Sequence, residues 1–151
     1  MTNKLKRKPY RNTTLLFSIT IILFIFILLI VIFVGQLKEY FDSLDPMLST
    51  IQTTLLPLHP VVKEVQFYEG NKSYTINKKK IYLCLKDKNN QYYELNMLLY
   101  VSIHELAHVL CDEIGHTPKF DRIFHDLLQK AVALNIYDPN LPILSDYCGH
   151  H

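Results

Sequence analysis

His104, Glu105 and His108 stand in the order His-Glu-x-x-His, and chemistry is concentrated there in this chain of 151 residues. On a helix, residues four apart lie one turn above each other on a single face, so both imidazoles can reach one ion. Neutral imidazole nitrogen suits zinc, which in catalytic sites takes three protein ligands and keeps one position for water. Glu105 adjoins the first ligand, where its carboxylate can touch that water without displacing it. It can then accept the proton of a water whose pKa the ion has lowered. The expected cofactor is therefore Zn2+. The expected reaction is hydrolysis of a peptide bond, with Glu105 as base and later proton donor. The expected partners are a protein or peptide substrate and a lipid bilayer.

The pentapeptide is flanked by Leu98-Leu99-Tyr100-Val101 and Val109-Leu110. Two imidazoles and a carboxylate are costly to bury in such surroundings unless something compensates them, and a metal does so. The third ligand has four candidates: His116, Glu113, Asp121 and His125. His116 is preferred because it falls at a chain reversal that can return a side chain over the first two histidines. His125 falls beside Arg122 and Gln129 on what reads as a polar helix face. A phenol from Tyr137 or Tyr147 is a candidate donor to a developing oxyanion.

The stretch HELAHVLCDEIGHTPKFDRIFHDLL resembles the core of small zinc peptidases of the WLM and SprT-like group. In that group HELxH is followed by a loop, a third His, and a Phe four residues further on that begins the next helix. His116 and Phe120 match this His-x-x-x-Phe element, and the resemblance implies that His116 is a ligand. From Ser73 to Gly149, with YTINKKKIYLCLKD and the terminal Tyr147-Cys148-Gly149, the chain is also similar to metallopeptidase-like proteins of large DNA viruses.

Positioning this constellation requires a helix of about residues 95–112, apolar nearly all round as a core helix is, with Gly115 as its left-handed cap. Thr117 and Pro118 then start a second helix. Its core face is Phe120, Ile123, Phe124, Leu127, Leu128 and Ala131. Between Val61 and Leu85, residues such as Val65, Phe67, Ile76, Ile81 and Leu83 favour two or three strands, with a turn at Glu69-Gly70-Asn71. The fold expected is α+β, a small sheet packed on the HExxH active-site helix and a second C-terminal helix.

Upstream, every residue from Leu15 to Val34 is apolar except Ser18 and Thr20. As a helix of about 20 residues this run matches the hydrocarbon thickness of a bilayer. A cleaved signal peptide is the competing reading, but its apolar part is normally shorter and no small-x-small site follows. The domains expected are a basic segment at 1–13, a transmembrane helix at 14–35, a stalk at 36–60 and a zinc metallopeptidase-like domain at 61–151. In the stalk, Asp45 and Pro46 are set to start a short helix running to Leu56. Lys4, Lys6, Arg7, Lys8 and Arg11 precede the apolar run, whereas Glu39, Asp42 and Asp45 follow it. The positive-inside rule then keeps the N-terminus cytosolic and puts the catalytic domain on the opposite side. Asn71-Lys72-Ser73 is a glycosylation acceptor that only a lumenal enzyme would reach.

A net charge of +2 gives no reason to expect a nucleic-acid partner. The run Lys78-Lys79-Lys80 reads as a solvated turn. Three cysteines allow at most one bridge and leave a thiol over. Cys84 is expected in the core of a strand, and Cys111 as a buried structural thiol. The alternative to an enzyme is a membrane-anchored structural or assembly protein whose metal site only holds the fold. A closed set of four ligands would mark it.

Overall fold

The computed structural model describes residues 10–149, with side chains for residues 15–148. The basic segment's Lys4, Lys6, Arg7 and Lys8, and the side chain of Arg11, lie outside these described residues. The chain divides into two compact units, one up to Glu39 and one from Tyr40.

The first unit is a helix, α1 (Tyr10–Asp42). Every side chain from Leu15 to Val34 is exposed, so the helix offers apolar surface all round. From Leu15 to Asp42 it is long and apolar enough to cross a membrane, with a mean hydropathy of 3.4 in its most apolar stretch.

The second unit begins with α2 (Pro46–Leu55). The Asp45 carboxylate accepts from the Met47 N–H at 2.9 Å, and Pro46 occupies the first turn. This helix corrects the expected stalk. Leu48, Ile51, Leu55 and Leu58 are buried in the main core, because apolar positions three and four apart form a stripe that must be covered. Gln52 fastens the helix by donating to the Val62 and Val65 carbonyls. Asp45 also receives the Lys86 ammonium at 2.8 Å and the Tyr92 hydroxyl at 2.9 Å, and Lys86 reaches Glu69 at 2.9 Å. The folded domain therefore starts near residue 40 rather than 61.

Three short strands follow: β1 (Gln66–Glu69), β2 (Tyr74–Ile76) and β3 (Lys80–Leu83). Their order is β1-β3-β2, with β1 parallel and β2 antiparallel to β3. Inserting the third strand between the first two leaves β2 at an edge. A tight turn joins β2 to β3 through Asn77 and Lys78, both with positive φ, closed by Lys79 N–H to the Ile76 carbonyl. Lys78 and Lys79 of the lysine run thus lie in a hairpin turn, while Lys80 begins β3. At Gly70 a Cβ would meet the Lys72 carbonyl at 3.0 Å and Tyr82 Cβ at 3.3 Å, which is why the β1–β2 turn carries glycine. Phe67, Ile81 and Leu83 enter the core, while Tyr68, Tyr82 and Tyr74 stack across the sheet with centroids 5.0 and 4.7 Å apart.

The sheet packs on α3 (Leu95–Leu110), which is buried on most sides, and α3 packs on α4 (Pro118–Ala133). Thr117 caps α4 by accepting from the Phe120 N–H, and the face buried or half-buried against the core is the one its spacing predicts. The end of α3 differs from expectation. Cys111 is already extended (φ −78°, ψ 126°), and its carbonyl is capped by the Lys78 ammonium. Gly115, with φ +84°, bends the connector beyond it instead of ending the helix. After α4, Tyr137 and Tyr147 fold back into the core. A disulfide joins Cys84 to Cys148, and Cys111 is a buried free thiol.

Candidate metal centre

His104 and His108 project from the last two turns of α3, and His116 from the connector that leads into α4. The three side chains converge. His116 Nε2 lies 3.0 Å from His104 Nε2 and 3.1 Å from His108 Nε2. An imidazole Nε2 carries either one hydrogen or one lone pair, so it cannot satisfy two such neighbours by hydrogen bonding. A shared cation can. With Zn–N bonds of about 2.0–2.1 Å, tetrahedral geometry sets ligand nitrogens about 3.3 Å apart, close to the spacing found. Among the described residues this is the group of His, Cys, Asp or Glu side chains placed to hold an ion.

The rings are held from below by one residue. Phe120, almost fully buried, stacks on His108 at 4.3 Å and meets His116 at 4.7 Å and His104 at 5.0 Å; Phe124 reaches His104 at 5.1 Å. This wedge comes from the first turns of α4. The Thr117-Pro118 start of that helix thus serves the centre as well as the core.

Burial, with the neighbouring His108 and His116 adding to it, pushes the His104 imidazole down to about 4. His108 is lowered too, by burial and then by His116. Both effects favour the neutral ring that a metal needs. Glu105, only 5% exposed, is pushed up by burial to about 7, against a hydrogen bond from Thr75 that favours its charge. Thr75 Oγ1 lies 2.8 Å from Glu105 Oε2 and 3.0 Å from the Glu105 carbonyl oxygen. All four groups border an open groove of about 580 Å³, floored by His104, Glu105, His108 and His116 and walled by β2, Lys78 and the 113–115 connector. A larger cleft of about 880 Å³ elsewhere on the domain is lined by the disulfide, Glu69 and Lys86, whose charges already neutralise each other. It gathers no comparable set of ligands.

The other candidates for third ligand fall outside the cluster. Glu113 lines the groove wall, Asp121 is exposed on the first turn of α4, and His125 bonds to Gln129 on its outer face at 2.8 Å. The phenols also have other employment. Tyr147 donates to the Cys84 carbonyl and pairs with Ser73 Oγ at 2.9 Å, while Tyr137 packs on Tyr100. Thr75 was not visible in the sequence as part of this site. A threonine thirty residues before the glutamate, in a three-residue strand, carries no spacing signal.

Fold and site together define an α+β domain with three histidines placed to hold a metal ion, preceded by one apolar helix. The chain belongs to the family of viral proteins that includes the uncharacterized protein 136R of Invertebrate iridescent virus 6. It is 44% identical to that protein over 124 residues, covering 76% of this chain and 70% of the relative. The uncharacterized protein 042R of Invertebrate iridescent virus 3 is 44% identical over 99 residues, and a protein of Acanthamoeba polyphaga mimivirus 38% identical over 102. Those matches span 62% and 49% of the respective relatives. No family model matches the chain, and no solved structure matches it.

Proposed function

We propose that the protein is a membrane-anchored zinc peptidase of the HExxH type, similar to the WLM and SprT-like group. The observation that carries this reading is the convergence of three Nε2 atoms beside a buried carboxylate, inside a groove open to solvent. His104, His108 and His116 would hold the ion. Bound there, zinc supplies Lewis-acid polarisation of a water and of the substrate carbonyl. Glu105 takes the proton of the attacking water and passes it to the leaving amine. The site also fits a polypeptide. β2 borders the groove and is paired by β3 on one side only among the described strands, so an extended peptide can add to its other edge.

The alternative, a metal that only holds the fold, would be expected to close its coordination with a fourth protein ligand. The exposure of His116 at the groove favours an open position. The N-terminus would stay cytosolic and the domain would lie across the membrane, a placement that the Cys84–Cys148 bridge supports, since disulfides persist on an oxidising side.

The test takes the detergent-solubilised full chain, measures zinc by elemental analysis and screens a peptide library. Wild type should hold one zinc and cleave. Glu105→Gln should keep the zinc and lose turnover by roughly a hundred- to ten-thousandfold, the scale of a lost proton-transfer group. His104→Ala should lose the zinc. Full cleavage by Glu105→Gln removes the mechanism, and tight zinc without cleavage in wild type points to the structural role.

A further inference from the structure

His104 and His108 share one face of α3, directed at His116 and Phe120. Glu105 follows His104 by one residue and therefore leaves the helix about 100° further round. That direction faces β2, where Thr75 meets the side chain, rather than the three converging imidazole nitrogens. A glutamate has three side-chain torsions, so a carboxylate leaving at this angle must be steered back over the groove. β2 is the element on that side.

We propose that Thr75 is the positioning residue for Glu105, an inference that deepens the peptidase reading and rests on it. Thr75 Oγ1 lies 2.8 Å from Oε2, and it is the hydrogen-bond partner the described structure places on that oxygen. The same hydroxyl lies 3.0 Å from the Glu105 main-chain carbonyl, so its one hydrogen is shared between the two ends of the glutamate. Engaging Oε2 leaves Oε1 for the water. The anchor itself is well held. Thr75 is paired to Ile81 in the middle of β2, and the following turn is locked to α3 where Lys78 meets the Cys111 carbonyl. On the other side, Ser73 Oγ accepts from the Cys84 N–H at 3.0 Å and pairs with Tyr147 at 2.9 Å. β2 is thus pinned at both ends, and its central side chain is the one that meets the carboxylate. A β-branched hydroxyl suits this place, since it fits a strand while its single donor is aimed by a stiff χ1.

Thr75→Val keeps the shape and removes the donor; Thr75→Ser keeps the donor. In the zinc-loaded full chain, Thr75→Val should bind zinc as wild type does. Its kcat should fall roughly 10- to 100-fold, the scale for losing a partner that orients a metal-site group, with KM little changed. Thr75→Ser should recover most of the loss. A second readout needs neither metal nor turnover: the side-chain carboxyl 13C resonance of Glu105 in the metal-free protein, assigned by its absence in Glu105→Gln. It should move in Thr75→Val and return in Thr75→Ser. Unchanged kcat in Thr75→Val, or serine no better than valine, overturns the positioning role. If wild type cleaves nothing, the peptidase reading fails separately, and an unmoved carboxyl resonance would then dismiss the Thr75 contact itself.

Discussion

At the scale of single residues, the centre shows two kinds of group displaced in opposite directions by the same burial. His104 is driven towards its neutral form and so is Glu105, one by losing a proton and the other by keeping it. For Glu105 this has a consequence in the metal-free protein. Its folded pKa of about 7 lies above its unfolded value, so the folded state holds an extra proton between roughly pH 4.5 and 7. Stability from this group is present below that window and is lost as pH rises through it. Glu105→Gln should therefore change metal-free stability little near pH 5. By pH 8 it should raise it, by up to about 3 kcal/mol. Urea midpoints of both proteins, measured with chelator across this range, would show the gap opening with pH. A gap that stays flat would mean that the carboxylate is not desolvated as the groove suggests.

At the scale of elements, the helices were largely legible and the connections were not. The spacing of Phe120, Ile123, Phe124, Leu127, Leu128 and Ala131 is local, and the face it predicts is the face that packs. The short helix after Asp45 was legible for the same reason, yet its membership of the core was not. Periodicity says that a stripe must be covered, never by what. The C-terminal turn is the clearest case. Cys84 and Cys148 are 64 residues apart in sequence, and nothing local pairs them. Closing a loop of that length is worth about 4 kcal/mol in chain entropy. Cys84→Ala with Cys148→Ala should lower unfolding free energy by a few kcal/mol, read by denaturant titration. Losing the bridge should also loosen Tyr147 from Ser73, raising proteolysis beyond residue 140 first.

At the scale of the whole molecule, two units divide the physical problem. α1 exposes apolar side chains all round from Leu15 to Val34, and it is long and apolar enough to cross a membrane. The unit from Tyr40 buries its own core, from Leu48 to Tyr147. A chain started at Tyr40 should accordingly be soluble, cooperatively folded and zinc-binding. The full chain should resist alkaline carbonate extraction from membranes. Comparative extraction and thermal melts would check both, and a Tyr40-started chain that aggregates without a melting transition would show that the domain needs its helix.

Composition and local spacing alone determined the apolar helix, the two packed helices and the pairing of His104 with His108, since each depends on residues within a turn or two of one another. His116 is marked in the sequence by the chain reversal and the His-x-x-x-Phe resemblance. Its convergence to 3.0–3.1 Å, the Thr75 contact, the disulfide partner and the burial of α2 were decided only in three dimensions. Each joins residues separated by many helical turns of sequence, and such contacts are selected by how the whole core closes rather than by any repeat along the chain.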